Sequence, residues 1–97
     1  ILSPAAVKAM RTVLRGVEQF GRTPGWDCYS DYSSNKGDML SREAYCHTGF
    51  TGTSIVIDPV NDISIILLAN SVHPDGEGNV IALRSYVANA VAGAIIK

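Results

Sequence analysis

The stretch that decides the fold is HTGFTGTSIVIDPVNDISIILLAN, residues 47–70. Thr53, Ile55 and Ile57 alternate with Ser54, Val56 and Asp58, the period-two pattern of a strand, and the strand is read from His47 to Asp58. Pro59-Val60-Asn61-Asp62 reads as a turn, because proline presets one backbone angle and Asn and Asp side chains bond their own backbone. Ile63 to Asn70 is a second strand, with Ile63, Ile65 and Leu67 on one face and Ile66 and Leu68 on the other. A strand apolar on both faces is expected to be covered on both faces. Two such runs across a short turn predict an antiparallel hairpin.

Upstream, Leu2-Ser3-Pro4 is a helix start. Ser3 is placed to cap orphan N–H groups, Pro4 suits the first turn, and Leu2 and Val7 occupy the staple positions around the cap. Val7, Met10, Val13 and Leu14 continue at helical spacing, Gly16 and Gly21 weaken the pattern, and Thr23-Pro24-Gly25 ends it. Trp26 to Tyr29 is a candidate short strand. Ser30 to Glu43 is polar and rich in Ser, Asp, Asn and Gly, a long loop of the kind that often borders a functional site. Downstream, His73 to Asn79 is a Pro/Gly loop, and Asn79 caps a final helix over Val80 to Ile96. Val80, Leu83, Val87, Val91, Ala94 and Ile95 form its apolar stripe, and Ala88, Ala90, Ala92 and Gly93 keep it slim enough to pack closely on a sheet. The order helix, short strand, long loop, hairpin, helix predicts an α+β fold with antiparallel strands flanked by helices. One good helical stripe and one interrupted helix cannot bury both faces of Ile63–Asn70, so further structure is expected over the sheet.

The chain has 97 residues, 46% of them hydrophobic and 18% charged, which fits one small globular domain and excludes charge-driven disorder. A formal net charge of −1 gives no electrostatic pull toward nucleic acid or anionic lipid. The longest apolar run, Ile65 to Ala69, is too short to cross a bilayer. Residue 1 is Ile rather than Met, so the chain is expected to begin inside a longer reading frame or to have been trimmed. Cys28 and Cys46 have no metal-ligand spacing. They read as two free thiols in or near a sheet, or as one Cys28–Cys46 bridge, which would imply an oxidising compartment. Asp75-Gly76-Glu77-Gly78-Asn79 fails the pattern of a calcium loop, because Val80 stands where Gly is needed and Tyr86 where Glu is needed. It reads as a solvated turn with a helix cap, and His73 beside it as a surface residue. No metal and no cofactor is expected.

Chemistry is sought in His47-Thr48-Gly49-Phe50-Thr51-Gly52-Thr53. Two glycines inside a strand weaken it by roughly 1 kcal/mol each relative to Ala, and such glycines often mark close approach of a ligand or another backbone. From the residues alone this is either a polar strip that meets a substrate or a bulged edge strand with an exposed histidine. Trp26 is read as core or cleft-wall packing, with substrate contact as the sharper alternative.

The ordered set Gly25-Trp26-Asp27, His47-Thr48-Gly49-Phe50-Thr51-Gly52, Ile57-Asp58-Pro59, Leu67-Leu68-Ala69-Asn70 and an Ala-rich terminal helix resembles the end of the serine hydrolases of the penicillin-binding-protein and class C β-lactamase-like family. The resemblance runs from about Leu2 to Ile96. It implies that residues 1–97 are the C-terminal part of a single domain of that kind, with the nucleophile-bearing part outside the chain as principal partner. It implies hydrolysis through an acyl-serine intermediate on an ester, a D-amino-acid amide or a β-lactam. His47 becomes the cationic or hydrogen-bonding member of the third family motif, and Thr48 a contact to the substrate's carboxylate or amide. Gly49 becomes the opening for the acyl group, and the Phe50 backbone N–H one of two oxyanion donors. His replaces the family's Lys here and is only partly charged near neutral pH, which tilts the expectation toward peptidase or esterase over lactamase. Ser33-Ser34-Asn35-Lys36 matches the family's Ser-x-x-Lys by letter. It lies in a polar loop without apolar periodicity and is read as a chance match. The isolated chain is then expected to be silent, the substrate to be a small molecule or peptide, and export to be implied by resemblance only. The alternative is a non-catalytic binding module that kept the sheet and lost the chemistry.

Overall fold

Gly49 and Gly52 turn the chain where one strand was expected. A computed structural model describes residues 1–73, 76 and 79–96. In it His47–Asp58 is not one strand but parts of two, β1 (Tyr45–Thr48) and β2 (Ser54–Asp58), antiparallel with Thr48 opposite Ser54. The Gly49 N–H donates to the Thr53 carbonyl at 2.8 Å, and the Gly52 N–H to the Gly49 carbonyl at 3.1 Å. Gly52 has φ +119°, a backbone state that side chains rarely adopt. The alternating run is strand only from Ser54 to Asp58, beginning after the second glycine.

β2 continues into β3 (Ile63–Leu67) as the expected antiparallel hairpin, giving a three-stranded sheet in the order β1-β2-β3. The turn between them is fastened by Asp58, which is 1% exposed. Its carboxylate accepts from Ser41 N (2.8 Å), Ser41 Oγ (2.6 Å), Val60 N (3.0 Å) and Asn61 Nδ2 (2.8 Å). Burial pushes this carboxyl's pKa up, but the hydrogen bonds from Ser41, Asn61 and Val60 outweigh it and hold it at about 2. β3 ends at Leu67 rather than Asn70, and Ser71 N turns back to the Thr51 carbonyl at 2.7 Å.

The sheet has two unlike faces. Cys46, Val56, Ile63 and Ile65 are buried with Ala88 of the C-terminal helix α2 (Ile81–Ile95), and Leu40, Val87, Val91 and Ile96 pack around them. On the opposite face His47, Ile55 and Ile66 stand in one register row; Ile66 is 65% exposed, and Leu68 beyond it 81%. Among the described residues one face of Ile63–Leu67 is covered and the other is open, in line with the expectation that this chain's helices cannot cover both. The stripe expected on α2 is displaced as well. Its buried line is Arg84, Ala88 and Ala92, with Leu83 and Ile95 exposed, because close approach to the sheet selects the small residues. The expected Asn79 cap is shifted: the helix begins at Ile81 with Val80 at the cap position and no side-chain cap bond from it, while Asn79 Oδ1, one residue earlier, accepts from Ile81 N at 3.1 Å.

The N-terminal helix α1 (Pro4–Met10) is capped as expected, Ser3 Oγ accepting from Ala6 N at 3.2 Å. It stops at Met10, short of Val13 and Leu14, and buries no residue. Without a packed partner its apolar periodicity earns no stability, and the Leu2/Val7 staple is exposed at both ends. Trp26–Tyr29 forms no strand; only Asp27 bridges, to Arg22 and to Cys46. Asp75, Glu77 and Gly78 of the calcium-like loop lie outside the described residues.

Candidate active-site wall

The residues singled out in the sequence gather around the β1–β2 turn. β1 carries His47 and Thr48 to its end, and the pleat sends their side chains to opposite faces. His47 is exposed on the open face and Thr48 is half-buried on the helix-covered one. Both residues border a hollow of about 350 Å³ at this end of the sheet, with Gly49, Ile55, Ile66 and Leu68. Phe50 stands at the turn, its side chain 91% exposed, and among the described residues no group accepts its N–H. A Cβ on Gly49 would meet Thr53 Oγ1 at 2.2 Å, so the space beside this glycine is filled by the threonine just before β2. Trp26 does not line the hollow. It packs edge-on against Tyr45, ring centroids 4.9 Å apart, two residues before His47.

One residue at the centre of this arrangement escaped the sequence reading. Arg84 of α2 is 8% exposed and reaches under the turn. Its Nε donates to the Gly52 carbonyl at 3.2 Å, and its Nη2 to the Gly49 and Thr53 carbonyls at 3.2 and 3.0 Å. Its Nη1 donates to Asn35 Oδ1 at 3.3 Å, and Asn35 Nδ2 in turn bonds the Tyr32 carbonyl. All four acceptors are neutral, and burial lowers the guanidinium's pKa from its ordinary value. The available signal was that Arg84 is the lone charge between Ile81 and Ile96.

Asn35 belongs to a 3-10 turn, Ser33–Lys36, the segment that matches Ser-x-x-Lys by letter. There Lys36 Nζ donates to the carbonyls of Ala44 (2.8 Å) and Cys28. Ser33 Oγ lies 3.5 Å from Ser30 Oγ. The lysine thus ties the loop to the start of β1. Both cysteines are free thiols, and Cys28 Sγ points to the Arg11 carbonyl at 3.7 Å rather than to Cys46. Burial raises the Cys46 thiol to about 11, so it is an inert core group near neutral pH. Among the described residues no three His, Cys, Asp or Glu side chains gather to hold a metal, and no helix is long and apolar enough to cross a membrane.

Comparison with known proteins agrees with this architecture. Residues 1–89 match the beta-lactamase family. A protein of Escherichia coli O157:H7 named "Putative D-alanyl-D-alanine carboxypeptidase" is 36% identical over 75 residues, covering 75% of this chain and 17% of its own length. Proteins of the same name from Escherichia coli K12 and Salmonella paratyphi B are 51% and 49% identical over 37 residues, covering 38% of this chain and 8% and 9% of their own lengths. No solved structure gives a significant match. The chain belongs to the beta-lactamase family, and within it forms a three-stranded antiparallel sheet with two helices. It spans less than a fifth of the length of the curated relatives it matches.

Proposed function

We propose that this chain is the His-Thr-Gly wall of a serine hydrolase acting through an acyl-serine intermediate on an ester, a D-amino-acid amide or a β-lactam. The observation that carries this reading is the Phe50 N–H, held at a bonded turn with no acceptor among the described residues. Such a donor is suited to charge that appears on a carbonyl oxygen only in the transition state. His47 and Thr48 border the hollow at the end of β1, and in this reading they hold a carboxylate or amide of the substrate. Histidine in place of the family's lysine favours peptide or ester substrates in this reading, and the names of the relatives point to peptides ending in D-alanyl-D-alanine.

The nucleophile and its base belong, in this proposal, to another part of the protein. Residues 1–97 are then the C-terminal part of one β-lactamase-like domain, and the open row of His47, Ile55 and Ile66 is the surface on which the nucleophile-bearing part rests. Taken alone, the chain is catalytically silent.

The test is acylation of the intact protein with a serine-reactive fluorophosphonate and a fluorescent penicillin, read by peptide mass. The expected label sits on a serine outside residues 1–97. Label on Ser33, or on any serine of this segment, would overturn the assignment. A protein that binds D-alanyl-D-alanine peptides and takes neither label would instead be the non-catalytic relative.

A further inference from the structure

We propose that Arg84 is the positioning residue of the Phe50 N–H, an inference that rests on reading that N–H as an oxyanion donor. The Gly49 carbonyl and the Phe50 N–H belong to one planar peptide unit, and in a trans peptide they point in opposite directions. Whatever holds the Gly49 oxygen therefore aims the Phe50 hydrogen. That oxygen is held twice, by Gly52 N at 3.1 Å and by Arg84 Nη2 at 3.2 Å. Arg84 also holds the carbonyls of Gly52 and Thr53, so three carbonyls of one turn converge on one buried guanidinium. A turn with glycine at both ends has little intrinsic reason to keep one peptide orientation. A planar fork with five fixed donors supplies that reason, and a lysine ammonium does not.

The clamp is itself anchored. Asn35 takes Arg84 Nη1, and the Ser33–Lys36 turn that carries Asn35 is tied through Lys36 to the Ala44 carbonyl beside β1. The loop, the terminal helix and the turn thus form one connected support. The guanidinium's charge also lies at the carbonyl end of the peptide, with only neutral acceptors around it. A positive charge there polarises the peptide and strengthens the N–H as a donor. A preorganised, polarised donor is what oxyanion stabilisation requires, since reorientation at the moment of reaction would cost barrier height.

The experiment uses the intact protein, with p-nitrophenyl acetate turnover followed for Phe50→Pro, Arg84→Lys and the double variant. Proline is accepted at the second position of a turn such as Gly49–Gly52, so Phe50→Pro deletes the N–H and keeps the bend. It is expected to lower kcat about 100-fold or more. Arg84→Lys is expected to lower kcat about tenfold to a hundredfold through misaiming, with KM within about twofold. The double variant is expected to be no slower than Phe50→Pro, because no donor is left to aim. Losses that multiply in the double variant, or a wild-type kcat for Arg84→Lys, would overturn the role of Arg84 and leave the Phe50 reading standing. A wild-type kcat for Phe50→Pro would overturn the oxyanion reading, and this inference with it. The Phe50 amide resonance gives a readout independent of turnover: it is expected to move in Arg84→Lys while the amides of β2 and β3 stay. Should Arg84→Lys not fold, Asn35→Ala frees one end of the guanidinium and is expected to move the same resonance and lower kcat at unchanged KM. A Phe50 resonance that stays in place would count against the clamp in either variant.

Discussion

Asp58 and Gly52 show what a single residue does in this chain. Asp58 has a folded pKa of about 2 against an ordinary 3.8, set by bonds from Ser41, Asn61 and Val60 that overcome its burial. A carboxyl whose folded pKa is depressed contributes stability above its unfolded pKa and loses it as pH falls through the folded one. The contribution is about 2 kcal/mol at pH 7, present above about pH 4 and gone below about pH 2. Asp58→Ala is therefore expected to destabilise the protein at pH 7 and to matter much less near pH 2, as read by urea unfolding at both pH values. An equal deficit at both would refute the linkage. Gly52 combines φ +119° with a would-be Cβ 3.2 Å from the Ala69 carbonyl, so Gly52→Ala is expected to cost about 1–3 kcal/mol. Gly25 has open space and no positive φ, and Gly25→Ala is expected to stay within about 0.5 kcal/mol. Thermal unfolding of the pair checks both, and equal midpoints would remove the backbone argument. The importance of Gly49 and Gly52 is legible in the sequence, which places them inside one strand as either a close approach or a bulge, not at a turn between two strands. Periodicity cannot distinguish a bulge from a turn when polar threonines flank both glycines.

At the scale of elements, α2 is the informative case. Its existence was legible from apolar spacing, and its start within two residues of Asn79, although the cap position falls on Val80. Which line it buries was not. The hydrophobic stripe through Leu83 and Ile95 is partly exposed, while Arg84, Ala88 and Ala92 face the sheet. Ala92, at 0% exposure, leaves no room for growth, so Ala92→Leu is expected to destabilise by about 1–3 kcal/mol through overpacking. Leu83→Lys, on the stripe that hydropathy favours, is expected to change stability by no more than about 0.5 kcal/mol. Differential scanning calorimetry of the two variants decides between the two faces: the reverse order would restore the hydropathy stripe. α1 teaches the complementary lesson, since a well-capped start produced only a short helix with no buried residue.

At the scale of the whole molecule, the sheet is asymmetric. One face is closed by α2 and the Ser33–Lys36 turn, and the other leaves Ile66 and Leu68 in solvent. Contiguous apolar surface of this kind marks an interaction face. The isolated chain is therefore expected to self-associate, and Ile66→Lys combined with Leu68→Lys to suppress that association while leaving its unfolding free energy within about 1 kcal/mol. Sedimentation velocity over a concentration series checks this, and a wild-type chain that stays monomeric throughout would argue against the face as an interface.

What the sequence alone determined is local. Ser3 and Asn79 marked helix starts, Pro59 to Asp62 marked the β2–β3 turn, and the alternation of residues 53–58 marked a strand, because each signal depends on neighbours a few residues apart. The ordered motifs around His47 and Trp26 led to the family for the same reason: they are short patterns in fixed order. Tertiary structure decided the rest. It split one expected strand into β1 and β2, put Arg84, Ala88 and Ala92 on the buried line of α2, and left one sheet face open. It also brought Arg84, distant in sequence, under the carbonyls of Gly49, Gly52 and Thr53. No periodicity encodes that contact. A buried charge becomes tolerable only where the folded chain delivers acceptors to it, and those acceptors are backbone carbonyls that every residue type carries alike.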